Sequence, residues 1–304
     1  MIIEALIPVF LVIALGHGLR RIGFPGDAFW PLMEQVTYFV IFPCFLFSTI
    51  AGGNLEGYDI GPMTLALIGA VACMALLTYA LWPILGLSGR QFSSFFQTTV
   101  RWNGFVALAA IGSLYGKPGL ALAAVSFGVL VPLANLLCVY VVTRTASGQP
   151  VALAEMGRLL LTNPLLIGCA AGIIVNGAAL PVPASLFDTA RLIGTAAVPL
   201  GLLAVGASLD LAAARSSVIV ISAASAMRLL LMPALMLGAC KLFGVEGTAM
   251  AVAVICGGTP TATSAYILAR QLGGDAPLMA NLITATTLGA MLTLPLVISL
   301  LAPG

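Results

Sequence analysis

The chain has 304 residues, 61% of them hydrophobic and only 7% charged, against about a quarter charged in ordinary soluble domains. A soluble fold has no interior large enough for that much apolar surface, so the composition specifies a polytopic membrane protein. A formal net charge of +2 without any basic arm excludes a nucleic-acid binder.

The first apolar run, 2–19, is followed by Arg20 and Arg21 and lacks a positive segment before it. It reads as a retained first span with its N-terminus outside, not as a cleaved signal peptide. Further runs of bilayer-crossing length lie near 28–51, 60–84, 91–115, 118–143, 158–179, 184–210, 216–243, 247–271 and 276–302. The expectation is therefore an all-α protein of ten transmembrane helices. Short turns punctuate the runs: Gly23 to Asp27, Gly52 to Asn54, Gly116 to Pro118 and Gly273 to Asp275. The longest polar connection, 145–157, divides the chain into a first five-helix repeat (1–144) and a second (158–304).

Proline spacing supports the repeat. Pro8, Pro25 and Pro43 recur 156 residues later as Pro164, Pro181 and Pro199, and the same shift sets Asn54 against Asp210. Five spans per half is odd, so the second half must enter the membrane inverted, a common plan of secondary transporters. Loop charges fit this count. Arg20, Arg21, Arg90, Arg144, Arg158, Arg215 and Arg270 fall on one side, and only Lys117 and Lys241 on the other. By the positive-inside rule the arginine side is cytoplasmic, which leaves both termini outside the cytoplasm. The expected location is a bacterial inner membrane.

Two interruptions carry the chemistry. Span 4 is broken by Arg101-Trp102-Asn103-Gly104, and span 9 by Gly257-Gly258-Thr259-Pro260-Thr261-Ala262-Thr263-Ser264. Lipid tolerates such backbone only where it is buried in protein or lines a watery cavity. Breaks in corresponding halves point to a transporter's binding site. A guanidinium at mid-bilayer costs about 2.5–3.5 kcal/mol and needs a partner or a wet cavity. Arg101 thus reads as a substrate-pairing charge, or else as a cap on carbonyls of a neighbouring broken helix. Asn103 and Gly104 suit an opening where amide and backbone groups face a polar ligand. Pro260 frees a carbonyl and the two glycines permit non-helical dihedrals. The segment could then offer carbonyls to a cation, or the amides of the restarting helix to an anion; a plain proline kink is the bland alternative.

Arg228, mid-span 8, has no acid nearby in sequence and is divided between ligand contact and an internal structural pair. Arg191 sits three residues after Asp188 and reads as an interfacial ion pair. Ser48, Gln97, Asn135 and Ser208 could line a cavity, and Pro43 and Pro199 could act as paired bends. His17 and Glu34 rank below them. Cys44, Cys73, Cys138, Cys169, Cys240 and Cys256 lie in apolar runs without metal-ligand spacing and read as free thiols packed as small hydrophobes. No metal or other cofactor is expected.

Taken in order, certain segments resemble the auxin efflux carrier family in its bacterial branch, within the superfamily that also holds bile-acid carriers. They are Ile41-Phe42-Pro43-Cys44-Phe45-Leu46-Phe47, then Arg101-Trp102-Asn103-Gly104-Phe105, then Arg228-Leu229 before Pro233. Last comes Pro260-Thr261-Ala262-Thr263-Ser264-Ala265-Tyr266-Ile267-Leu268-Ala269-Arg270 before Gly273-Gly274-Asp275. The resemblance implies spans 4 and 9 broken where they cross, with organic anions bound beside the crossover. It also implies a scaffold of spans 1, 2, 6 and 7 and a transport domain of spans 3–5 and 8–10. Asn103 would face a substrate carboxylate, with Thr259, Pro260, Thr261, Thr263 and Ser264 opposite.

Plant carriers use a proline-containing break in span 4 and a large hydrophilic midpoint loop. Arg101 and the short loop here point instead to a small, highly charged acid, because arginine pairs carboxylates bidentately. The resulting expectation is a secondary transporter of a mono- or dicarboxylate, auxin- or malonate-like, working by elevator-like alternating access. Its expected binding residues are Arg101, Asn103, Gly104, Thr259, Pro260, Thr261, Thr263, Ser264, Arg228 and Ser48. The expected partners are the small organic anion, a coupling proton or sodium ion, and the lipid bilayer, with a homodimer left open. A sodium symporter of the bile-acid type is the alternative. An intramembrane enzyme would need a cytoplasmic acid cluster or a nucleophile–base pair that the loops lack. ATP-driven pumping has no phosphate-binding loop to support it.

Overall fold

The structure is a computed structural model that describes residues 2–54, 57–58, 60–147, 157–158, 161–210 and 218–301. Most of the expected midpoint linker, and Arg215, lie outside the described residues. Every regular element among them is helical. We number the principal helices α1 (Ile2–Arg21), α2 (Phe29–Val36), α3 (Phe42–Ala51), α4 (Ile60–Leu85), α5 (Gly89–Val100), α6 (Gly104–Val142) and α7 (Pro164–Gly177). They continue as α8 (Ala184–Gly194), α9 (Ala197–Ala207), α10 (Val218–Ala226), α11 (Met232–Leu242), α12 (Gly247–Gly258), α13 (Ser264–Leu272) and α14 (Ala276–Ser299).

Among the described residues seven helical stretches are long and apolar enough to cross a membrane, and α7 and α12 are shorter apolar helices. This count differs from ten for local reasons. The stretch from Gly89 to Ala146 joins two expected spans, although it is interrupted at Arg101 to Asn103 and again at Gly116, whose φ of 57° and ψ of −147° are not helical. Span 9 is likewise divided, into α12 and α13.

Sequence chemistry sets the ends. Ser88 and Gln91 form a capping box at α5, each side chain accepting the other's backbone N–H, so two orphan amides are satisfied. Asn163 caps α7 through the amide of Leu165, and Asp275 caps α14 through that of Leu278. Pro164 and Pro277 occupy the first turns, where a missing N–H costs nothing. Gly273 adopts φ 81° to close α13, the left-handed geometry glycine accepts freely.

Three prolines, Pro43, Pro199 and Pro233, reshape the helix before them, whereas Pro8, Pro83 and Pro295 sit inside continuous α-helix. A proline removes one donor and clashes with the carbonyl four residues back. Ahead of Pro43 the chain widens into a π turn at Thr37–Ile41, with Phe42 N–H bonded to the Thr37 carbonyl. Ahead of Pro233 a second π turn, Met227–Leu231, repeats this through Met232 and Met227. Ahead of Pro199 the helix is interrupted at Thr195 and Ala196, between α8 and α9.

The chain packs as two compact units. Unit 1 is Met1–Tyr58, Phe105–Val131 and Gly157–Ala207; unit 2 is Asp59–Gly104, Pro132–Met156 and Ser208–Gly304. Each unit draws on both halves of the sequence, because a packing unit records which helices touch, whereas a repeat records how the chain is ordered.

Within unit 1, α1 lies against α9 and α3 against α7 and α8. The α1–α9 seam is set by glycine: a Cβ on Gly206 would stand 1.8 Å from the Ile13 carbonyl oxygen, and one on Gly16 2.2 Å from that of Leu203. Small residues that let helix backbones touch are the usual adhesive between helices in lipid. Phe42 meets Phe105 and Phe127 at 5.0 and 4.9 Å in the same unit. In unit 2, α5, α10, α12 and α13 gather around α14, and α11 packs against α4 and α12.

Arg191 pairs with Asp188 at 3.2 Å on the exposed side of α8, as the spacing predicts. All six cysteines are free; Cys73 is exposed and Cys44 half-buried, whereas the other four are buried. The packed-thiol expectation therefore fails for Cys73, whose helix face is turned outward.

Candidate functional site

Both interruptions fall in unit 2. Helix α5 stops at Val100, and Arg101 turns extended at φ −76°, ψ 140°. Helix α12 stops at Gly258, and Thr259 turns extended at φ −74°, ψ 157°. Helix ends leave carbonyls without intrahelical partners, and inside a membrane each must find a donor. Here the two ends satisfy one another. The Asn103 backbone N–H donates to the Pro260 carbonyl at 2.8 Å, and the Thr261 hydroxyl donates to the Thr98 carbonyl at 2.9 Å. Thr261 N–H in turn donates to the Thr286 hydroxyl on α14 at 3.3 Å.

Arg228 joins the same network. It rises from the π turn before Pro233 and is completely buried. Its Nε donates to the Thr259 carbonyl at 2.8 Å and its Nη2 to the Cys256 carbonyl at 3.1 Å. Longer contacts of 3.4 Å reach the Thr99 carbonyl and the Thr259 hydroxyl. One guanidinium thus ties the end of α5 to the end of α12. Of the two roles the sequence left open, the geometry is that of a backbone clamp: an arginine whose planar fork of donors matches a fan of carbonyls.

Arg101 is placed differently. It is 8% exposed. Nη2 donates to the Asn135 amide oxygen at 2.7 Å and Nη1 to the Ser264 hydroxyl at 3.2 Å, while Nε meets no acceptor among the described residues. Both partners are neutral, and among the described residues no carboxylate lies within salt-bridge reach. Ser264 is the first residue of α13, so this arginine reaches across from one break to the helix restarting after the other.

The expected site residues sort accordingly. Arg101, Asn103, Thr259, Pro260, Thr261, Ser264 and Arg228 share the network just described. Gly104 opens α6, and half-buried Thr263 precedes α13 and accepts from the Tyr266 amide through its carbonyl. Ser48 belongs to unit 1, where its hydroxyl donates back to Phe45 of its own helix at 3.2 Å.

Asn135, one of several cavity candidates in the sequence, becomes the shortest partner of Arg101. Gln97 is fully buried, and neither of its side-chain polar atoms has a hydrogen-bond partner among the described residues. Thr98, Thr99 and Thr286 escaped sequence reasoning, although a paired threonine just before a mid-membrane arginine was a usable signal.

Comparison with known proteins adds two findings. Residues 149–298 match the family described as membrane transport protein; the match takes in Arg228 and the whole span 9 break. Over 300 residues the chain is 25% identical to an uncharacterized transporter of Methanothermobacter thermautotrophicus, covering 96% of each protein.

Proposed function

We propose that this protein is a secondary transporter of a small organic anion, a mono- or dicarboxylate, with Arg101 as the charge that receives it. The observation carrying the proposal is a guanidinium held at 8% exposure by an amide and a hydroxyl, with the Cys138 thiol beside it and no acid partner among the described residues. Such a charge is costly inside a membrane unless something brings a counter-charge, and a substrate carboxylate supplies one in matching geometry. Asn103 and the Thr259 to Ser264 segment flank it, and Arg228 holds the two breaks in place from behind.

The similarity to membrane transport proteins supports the transporter class. The wider scheme comprises ten crossings in two inverted repeats, 1–144 and 158–304, in an inner membrane with both termini outside the cytoplasm. Alternating access is of the elevator type, and the division of the chain into two packing units suits it: both breaks lie in unit 2, so the substrate would travel with that unit.

A sodium site at the span 9 carbonyls, the alternative of the bile-acid type, has weaker support. The carbonyls of Thr259, Pro260 and Ala262 already accept from Arg228, Asn103 and Ala265. The test is uptake of labelled malonate, malate and indole-3-acetate into proteoliposomes, with sodium replaced by choline in a parallel set. Arg101→Ala should abolish uptake while the protein still purifies as a folded species. Undiminished uptake by that variant would reject the assignment.

A further inference from the structure

Gln97 lies in the last turn of α5, and neither its fully buried amide oxygen nor its amide nitrogen is bonded to a described residue. An amide taken out of water without a partner is costly, and such groups in a packed interior call for an explanation. Its neighbours Phe95, Phe96 and Val100 are buried and apolar, so a leucine would suit that setting better.

Helix geometry says where the amide points. Phe92 stacks on Trp82 and Thr99 meets the Thr78 hydroxyl, so these positions face α4. Ser94 bonds the Asp275 backbone and Thr98 reaches the Met279 sulfur, so that face meets α14. At about 100° per residue, position 97 lies nearly opposite the α4 face and between positions 93 and 101. Ser93 stands beside Gly274, just past the end of α13, and Arg101 reaches Ser264 at its start. Gln97 is held between them, where α5 packs along α13. The Arg101 amide donates to the Gln97 carbonyl at 2.8 Å, which sets the two residues one turn apart, about 6 Å along the axis.

Arg101 Nε and both polar atoms of Gln97 thus form a run of unspent groups at the first break: donors at Nε and Nε2, and an acceptor at Oε1. Asn135 and Ser264, which hold the head of Arg101, are half-buried, so the run is not sealed within the unit. Arg101 and Arg228 are the buried charged side chains among the described residues, and Arg228 is spent on carbonyls. One guanidinium balances one carboxylate. A second negative charge at Gln97 would meet an amide oxygen where it needs a cation. A hydroxyl or a ketone answers only one atom of a carboxamide. A primary amide or an un-ionised carboxyl group answers both, donating to Oε1 while accepting from Nε2.

We infer that Gln97 is the second recognition group of the Arg101 site, and that its ligand is a short, singly charged acid. The carboxylate of that acid pairs with Arg101, and its far end is a primary amide, or the equivalent un-ionised carboxyl, that closes a two-bond ring with Gln97. The inference rests on the reading of Arg101 as an anion site and assigns the selective step to a neutral side chain.

The test is titration calorimetry of the full chain in detergent at one neutral pH, with succinamate and levulinate as probes. Both are single anions of nearly the same shape, but levulinate carries a methyl where succinamate has its amide nitrogen, so it accepts without donating. The wild type should bind succinamate about tenfold more tightly or better, because levulinate leaves a buried acceptor unpaired. Gln97→Leu should bring the two affinities within about twofold of each other, and Gln97→Met repeats the measurement if the leucine variant folds poorly. Equal affinities in the wild type would overturn the inference, as would failure of succinamate to bind. A preference that survives both variants would also overturn it, and is the result expected if Gln97 only holds an internal water. Arg101→Gln separates the two claims. Loss of both probes in that variant, with equal affinities in the wild type, leaves Arg101 standing without Gln97. Undiminished binding of both probes in that variant rejects the Arg101 reading itself.

Discussion

The two buried arginines invite a paired substitution, because the structure gives them opposite duties. In Arg228→Met the clamp loses two short charge-assisted bonds, at 2.8 and 3.1 Å, and two longer ones at 3.4 Å. The short pair stabilises by roughly 3–6 kcal/mol, at about 1.5–3 each. Removing a guanidinium from mid-membrane returns about 2.5–3.5 kcal/mol. Taking the middle of each range, the balance is a net loss of about 1.5 kcal/mol, which lowers the unfolding midpoint by about 3 °C in a chain of this size. Arg101→Met gives up two bonds of similar length, but to side chains that can turn to other partners, whereas the carbonyls held by Arg228 are fixed at helix ends; with the same desolvation term regained, its midpoint should fall less than that of Arg228→Met. Unfolding in detergent followed by tryptophan fluorescence measures both, and proteoliposome uptake supplies the functional column. Arg101→Met should be inactive and the more stable of the two, Arg228→Met the more destabilised. The reasoning fails if Arg228→Met unfolds at or above the wild-type temperature, or if Arg101→Met proves the less stable of the two.

Further outcomes follow from the same geometry. Asn135→Asp would give Arg101 a resident carboxylate in place of an amide oxygen at 2.7 Å, so carboxylate uptake should collapse while thermal stability holds or improves. Thr261→Val removes the bond to the Thr98 carbonyl, costing about 1 kcal/mol; uptake should fall more steeply than that loss alone implies, because the breaks shift relative to each other. Gly206→Ala forces a methyl into the Ile13 carbonyl and should destabilise by about 1–3 kcal/mol. The control, Gly18→Ala, meets nothing within 4 Å and should be neutral or raise the midpoint slightly, as alanine is the better helix former; thermal unfolding reads both.

Much of this was legible without coordinates because lipid imposes simple rules. A chain with so few charges must put its backbone into helices, and the prolines, glycines and mid-span polar residues mark where those helices fail. Arg101 to Gly104 and Thr259 to Ser264 announced themselves in that way, as did the bends before Pro43 and Pro199. Spacing alone also paired Arg191 with Asp188. The sequence could not say which way a buried arginine turns. Arg101 and Arg228 are alike in composition of surroundings, each mid-span with no acid nearby, and only packing separates them: Arg228 meets carbonyls released by two helix ends, while Arg101 meets an amide and a hydroxyl. Nor could it choose Asn135 over Gln97, Ser48 or Ser208, since helix faces are assigned by contact and not by residue type. The division into two packing units was equally beyond a linear reading, because each unit collects segments from both halves of the chain. Where a helix breaks is written in its own residues; what the broken ends then hold depends on neighbours between 25 and 163 residues away in the chain.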